Sequence, residues 1–199
     1  MPEVKTTKLI ILDRDGVINQ DSDNFIKSVD EFIPLPGSLK AIADLCQAGF
    51  TVVVASNQSG IARQLFTLET LAAMHDKLQT LLAPLGGRIT QFYYCPHGPD
   101  DHCDCRKPKP GMINQIARDF LPQQKQLSEV YVVGDSLRDL DAGMAVGTQL
   151  ALVKTGKGQR SLEKIAAENL TQYSSIPVYT DLADFTRQYL QSCSESLSG

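Results

Sequence analysis

Four short apolar runs recur along this chain, three of them breaking off directly at a polar cluster, and that recurrence leaves few folds open to it. The first, Leu9–Leu12, passes straight into Asp13-Arg14-Asp15-Gly16 before apolar residues return at Val17 and Ile18. An unbroken apolar tetrapeptide is the pattern of a strand covered on both faces of a parallel sheet. The second run, Thr51–Ala55, ends in Ser56-Asn57-Gln58-Ser59-Gly60. Ile89–Tyr94 reads as the third strand and leads into a loop rich in Cys, Pro and Gly. The fourth, Val130–Gly134, ends in Asp135-Ser136-Leu137-Arg138-Asp139.

Helical spacing fills the intervals. Leu39, Ile42, Ala43 and Cys46 form one apolar stripe, stopped by Gly49; Cys46 reads as a core residue. Leu71, Met74, Leu78 and Leu81 form another behind Thr67, a good N-cap, with His75 as a half-buried structural residue beside it. Met112, Ile113, Ile116 and Phe120 mark a third helix, and Leu140, Met144 and Val146 a fourth. A strand over Gln149–Val153, a Gly- and Lys-rich loop over 154–160 and a helix over 161–170 follow. A short edge strand at Val178-Tyr179 and a helix capped by Asp181 complete the pattern, with a frayed, disordered tail expected from Ser192 to residue 199. Strands alternating with helices predict an α/β fold: a doubly wound parallel sheet with right-handed crossovers, in one domain over residues 1–191. Ligands of such sheets bind beyond the carboxyl ends of the strands.

Composition narrows the function. With 42% hydrophobic and 21% charged residues the chain is an ordinary globule. A net charge of −4 and the absence of Trp argue against a nucleic-acid partner. No apolar run approaches the ~18 residues of a membrane span, and the N-terminus (MPEVKTTK) lacks the apolar segment of a secretory signal. A cytoplasmic monomer is the expectation. Three of the five cysteines lie between positions 95 and 105, which suggests a metal site more than disulfides.

Asp13 and Asp15 share one side of the chain if strand geometry persists for two residues. Two carboxylates at the end of a buried strand need a partner, and Mg2+ is a natural one. Alone, D-x-D-G also fits a solvated acidic turn. Cys95, His97, Cys103 and Cys105 give C-x-H-x5-C-x-C, a ligand set for closed tetrahedral Zn2+ in a structural role over loop 95–107. His102 competes with His97 but directly precedes Cys103 and would crowd the site. Reduced thiols without metal are the alternative.

The clusters together resemble the haloacid-dehalogenase superfamily of phosphotransferases: D-R-D-G-V from Asp13, the serine of A-S-N-Q, the lysine of R-K-P and G-D-S-L-R-D from Gly134 occur in its order. The resemblance implies Asp13 as nucleophile, Asp15 as general acid and base, and Ser56, Asn57 and Lys107 around the transferring phosphate. It implies Mg2+ held by Asp13, Asp135 and Asp15, the last through its carbonyl. Asp139 either orients a metal-bound water or is a solvated or capping carboxylate.

C-P-H, C-x-C-R-K-P and S-N-Q-S-G-I-A-R are similar to one subfamily of heptose-bisphosphate and histidinol-phosphate phosphatases. The heptose enzymes serve lipopolysaccharide and glycan precursor synthesis. Gln64 departs from that pattern, standing where glycine is usual. Forty residues (16–55) separate Asp15 from Ser56, too few for a cap domain. The pocket is therefore expected to be walled by loops: Asp21, Ser22, Asp23 and Asn24; Ser56 to Ser59, including Gln58; and the Arg106 region. Arg106, Lys107 and Lys109 suit a small phosphorylated sugar with a second anionic group better than a cationic amino alcohol phosphate. A nucleic-acid phosphatase and a non-catalytic zinc module are the remaining alternatives.

Overall fold

Leu9, Ile10, Ile11 and Leu12 are each at most 2% exposed, because β1 (Leu9–Leu12) lies inside the sheet with helices over both faces. The structure is a computed structural model that describes residues 8–121 and 127–196. The expectation about a signal segment falls on residues outside this range. β2 (Thr51–Asn57), β3 (Gln91–Cys95), β4 (Tyr131–Gly134), β5 (Gln149–Val153) and β6 (Val178–Tyr179) join β1 in one parallel sheet, ordered β3-β2-β1-β4-β5-β6.

Alternate residues of the strands serve opposite layers. Ile10, Leu12, Val52 and Val54 pack with Ile42 and Leu45 of α1 (Ser38–Gln47), Met74 and Leu78 of α2 (Leu68–Leu82), and Phe185 of α6 (Leu182–Ser196). Leu9, Ile11, Val53 and Ala55 pack with Met112, Ile113 and Ile116 of α3 (Gly111–Phe120) and Ala142 of α4 (Leu137–Met144). Leu162 and Ile165 of α5 (Gly158–Ala167) cover Leu140, Leu152 and Tyr173. Each fully buried Leu or Ile contributes about 1.5–3 kcal/mol, so these two layers hold the strand ends in fixed register.

The elements depart from the sequence reading at their ends. β2 continues through Ser56 and Asn57, which pair with Tyr94 and Cys95. β3 begins at Gln91 instead of Ile89, since the Gln79 side chain takes both the N–H and the carbonyl of Ile89, at 3.0 and 2.7 Å. The α2 stripe ends on Leu82, fully buried, while Leu81 is 37% exposed. His75 is structural as expected but more deeply buried, stacked on Phe92 with centroids 3.9 Å apart. α5 starts at Gly158, three residues early. A Cβ there would stand 1.7 Å from the Val153 carbonyl oxygen, so the helix begins where only glycine fits. α6 stays helical through Ser196, where a tail from Ser192 had been expected; residues 197–199 lie outside the described range.

Residues 13–37 and 58–67 run between strand and helix without a further helix or a separate cap domain. Among the described residues no helix is long and apolar enough to cross a membrane.

Candidate active site

The strand order reverses between β1 and β4, and crevices of such sheets lie at that point. The two strands deliver Asp13 and Asp135 there, and the Asp13 N–H donates to the Val133 carbonyl at 2.9 Å. Carboxylate oxygens of Asp13, Asp135 and Asp139 all lie within 4.8 Å of one another. Lys107, 4% exposed, sits among them. Its ammonium is 3.0 Å from Asp13 Oδ1, pairs with Asp139 and donates to the Ala55 carbonyl at 2.6 Å. Burial opposes that charge, but Asp13 and Asp139 hold the lysine protonated well above its ordinary range.

Three carboxylates face one ammonium, so the fully ionised cluster carries two uncompensated negative charges. Burial pushes Asp13 up to about 6 against the pull of Lys107, and pushes Asp135 up to about 8 with help from Asp13 and Asp139. Asp13 Oδ1 is buried and accepts no hydrogen bond of good geometry. Such a donor set fits a hard divalent cation such as Mg2+. Gly16 and Gly156 leave the space it needs: a Cβ on either would come within 2.0 and 2.2 Å of Asp135 Oδ2. The Lys157 N–H donates to that same oxygen at 2.7 Å. Asp139 is no solvated carboxylate. It is 1% exposed, accepts from the N–H and hydroxyl of Ser136 at the start of α4, and pairs with Lys107.

Asp15 lines the same cavity but its carboxylate is outside the cluster, because the chain leaves strand geometry at Leu12. Oδ1 accepts from Arg14 Nε and Nη2 at 3.2 and 3.0 Å and from Asn19 Nδ2 at 2.7 Å. Oδ2 accepts from Arg14 Nη2 and Gln58 Nε2, both at 2.9 Å. Burial alone would raise this carboxyl; Arg14, Asn19 and Gln58 outweigh it and hold Asp15 below the usual range. Gln58 also donates to Ser56 Oγ at 2.8 Å. Asn57 presents its side chain to the Lys107 backbone instead of the cavity centre, with Nδ2 donating to the Lys107 carbonyl at 2.9 Å and Oδ1 accepting its N–H at 3.0 Å.

The cavity, about 360 Å3, has Asp21, Ser22, Asp23, Ser56, Asn57, Gln58, Ser59, Arg106 and Lys107 in its walls, as the sequence reading had it. Two expected residues are elsewhere. Asn24 is not among the lining residues, and its N–H donates to Ser22 Oγ at 3.1 Å. Lys109 is taken by the Cys103 carbonyl at 2.8 Å and by Asp104. Phe25, Arg63, Arg138 and Lys157 line the cavity and had not been singled out as binding residues. Arg63 lies over the Phe25 ring, 5.8 Å from its centroid. Gln64 has φ +57°, a conformation that explains why glycine suits its position. Lys157 pairs with Asp21 and Arg160 with Asp23, tying the loop after β1 to α5. Arg106 donates to the His97 carbonyl at 3.2 Å. Arg14 and Asn19 were visible only as letters of a motif; the available signal was a charged and an amide side chain inside an otherwise buried turn.

Cys95, His97, Cys103 and Cys105 converge as expected, and His102 stays outside the set. His97 Nδ1 is 3.6 Å from Cys95 Sγ and 3.3 Å from Cys105 Sγ, and Cys95 Sγ is 3.6 and 3.2 Å from the sulfurs of Cys103 and Cys105. A tetrahedron with Zn–S bonds of ~2.3 Å has edges of about 3.8 Å, so the donors fit a zinc ion after a small expansion.

The comparisons agree with this site. The Hydrolase_like family model, described as HAD-hyrolase-like, matches residues 104–184. The chain is 54% identical over 183 residues to a D-glycero-beta-D-manno-heptose-1,7-bisphosphate 7-phosphatase of Pseudomonas putida, covering 92% of this chain and 99% of that one. The enzyme of that name from Escherichia coli is 40% identical, over 77% and 82% of the two chains. A crystal structure of D,D-heptose 1,7-bisphosphate phosphatase from B. bronchiseptica, complexed with magnesium and phosphate, superposes with a TM-score of 0.86 at 52% identity, covering 94% and 99%. The four motifs, the doubly wound sheet and similarity over 92% of the chain have one reading: the chain belongs to the heptose-bisphosphate phosphatase family of haloacid-dehalogenase-like hydrolases.

Proposed function

We propose that this chain hydrolyses the 7-phosphate of D-glycero-β-D-manno-heptose 1,7-bisphosphate, giving heptose 1-phosphate and inorganic phosphate. What carries the reading is the buried cluster of Asp13, Asp135 and Asp139 around Lys107, in a chain 54% identical to an enzyme named for that substrate. Asp13 attacks phosphorus and becomes an aspartyl-phosphate, which splits the displacement into two easier steps. Asp15 gives a proton to the departing sugar oxygen and takes one from the water that frees Asp13. Ser56 and the protonated Lys107 face the negative oxygens of the phosphoryl group, and Asn57 and Asp139 hold Lys107 in place. Asp13, Asp135 and the Asp15 carbonyl would hold Mg2+, which supplies charge neutralisation for in-line transfer. Cys95, His97, Cys103 and Cys105 would hold structural Zn2+ and so fix the loop that carries Arg106 and Lys107.

The rim favours an anionic substrate. Asp21 and Asp23 are neutralised by Lys157 and Arg160, whereas Arg63 and Arg138 have no carboxylate partner among the described residues. A second phosphate finds those guanidiniums and Arg106; the ammonium of histidinol phosphate would be repelled by them. The enzyme is proposed to act as a cytoplasmic monomer, its catalytic domain spanning residues 1–191, without nucleic-acid or membrane partners. Steady-state kinetics with both substrates and Mg2+ test the assignment: kcat/KM for the heptose bisphosphate should be far the larger. Faster turnover of histidinol phosphate would transfer the chain to that activity.

A further inference from the structure

We propose that Arg14 and Asn19 are positioning residues that fix the Asp15 carboxylate for proton transfer, an inference that rests on the phosphatase reading above. Arg14 is the largest fully buried side chain of the described residues, at 0% exposure. A guanidinium out of water is expensive unless paired, and Asp15 is the one carboxylate within ion-pair distance of it among those residues. Met74 Sδ at 3.7 Å, the Phe32 ring at 5.8 Å and the neutral His75 also lie near it, and an uncharged side chain could pack against all three equally well.

Asn19, also at 0% exposure, donates to Asp15 Oδ1 at 2.7 Å and to the Gln20 carbonyl at 2.8 Å, while its own Oδ1 is buried with no partner. A side chain retained for packing alone would leave no such acceptor orphaned. The guanidinium donates to both oxygens of Asp15 and the Asn19 amide adds a further donor to Oδ1, so together they fix both its position and its rotation. Neither lines the cavity, whereas Gln58, the remaining partner, does. The frame therefore stands behind Asp15 and leaves its front to the substrate.

In the reaction Asp15, ionised in the free enzyme, takes a proton from the incoming phosphate monoester; an Asp13 oxygen then bonds to phosphorus as the phosphorus–sugar oxygen bond breaks, and that proton passes from Asp15 to the sugar oxygen. Water then bonds to phosphorus, its proton passes to Asp15, and the phosphorus–Asp13 bond breaks to release phosphate. A misplaced Asp15 harms the first step only when the leaving group needs a proton. A sugar alkoxide does; p-nitrophenolate leaves without one.

The test uses the Mg2+-loaded enzyme with Arg14→Lys and, separately, Asn19→Ala. kcat/KM, which reports events through transfer to Asp13, is measured for the heptose bisphosphate and for p-nitrophenyl phosphate. The sugar phosphate should lose about 10²–10³-fold, in the range of general acid catalysis, and the aryl phosphate at least about tenfold less. Equal losses on the two substrates, or none on either, would overturn the proposal. If Arg14→Lys does not fold, the same ratio in Asn19→Ala decides. If the wild type cleaves aryl but not heptose phosphate, the substrate reading falls, and glycerol phosphate takes the place of the sugar in the ratio.

Discussion

Lys107→Met removes one charge from the centre of the cluster while keeping most of the side-chain volume. The ammonium lost lies 3.0 Å from Asp13, pairs with Asp139 and is 4% exposed, so its partners cannot be rescued by solvent. Removing one member of a buried ion pair costs about 3–5 kcal/mol, and that is the expected loss at pH 7 in the absence of Mg2+. The cluster can limit the loss by binding a proton. Asp13 already stands near 6 against an ordinary 3.8, and without Lys107 it rises further. A group whose folded-state value is raised binds more protons folded than unfolded, so acid favours the folded variant. The destabilisation relative to wild type should therefore shrink as pH falls from 7 toward about 6, by up to about 1.4 kcal/mol per pH unit for one extra proton, and level off below about 6, where wild-type Asp13 takes up the same proton. Urea denaturation of both proteins at several pH values measures this directly. A loss below about 1 kcal/mol at pH 7, or one that grows on acidification, would refute the picture of Lys107 as counter-charge to a crowded carboxylate cluster.

Asp13→Asn should abolish turnover with the fold intact; more than a few per cent of residual activity would exclude covalent catalysis at that residue. Cys103→Ser, or strong chelation, should lower melting temperature and activity together without rescue by Mg2+, and zinc-free protein with full activity in elemental analysis would remove the structural metal. His75, pushed down to about 4 mainly by burial and also by Arg14, is neutral when folded against an ordinary 6.5. Its contribution is present above pH 6.5 and lost as pH falls toward 4, at up to about 1.4 kcal/mol per unit. His75→Phe keeps the stack on Phe92 and should flatten that fall; identical slopes in urea titrations would assign it to other groups.

The strands were legible because each is a run of apolar residues with no competing periodicity, and the site because polar clusters end those runs. Ser56, Lys107 and Asp135 could be placed from the resemblance of their motifs, in order, to the haloacid-dehalogenase superfamily, and the Cys3His set from its spacing. What stayed hidden was decided by contacts between distant segments. Nothing near Ile89 reveals that Gln79 captures its backbone and shortens β3. Spacing put the Asp15 and Asp13 side chains together, but the turn after Leu12 hands Asp15 to Arg14. Lys109 reads as a second cation beside Lys107 until the fold offers it the Cys103 carbonyl. Arg63 and Arg138 gain their meaning only from having no carboxylate partner among the described residues, which no local pattern records.

The sheet order has a consequence for how the chain is made. β1 leaves the ribosome before the other five strands of the sheet, yet it belongs between β2 and β4. Once β2 has docked, one edge of β1 remains bare until β4 arrives, 119 residues after Leu12 (131 − 12). At ~5–20 residues per second that wait is on the order of ten seconds. During it, four apolar residues with unpaired backbone groups form a template for wrong partners. The latch from Asp21 to Lys157 comes later still. Asp13 is synthesised before the other residues of the site and is among the last to be set in its working position.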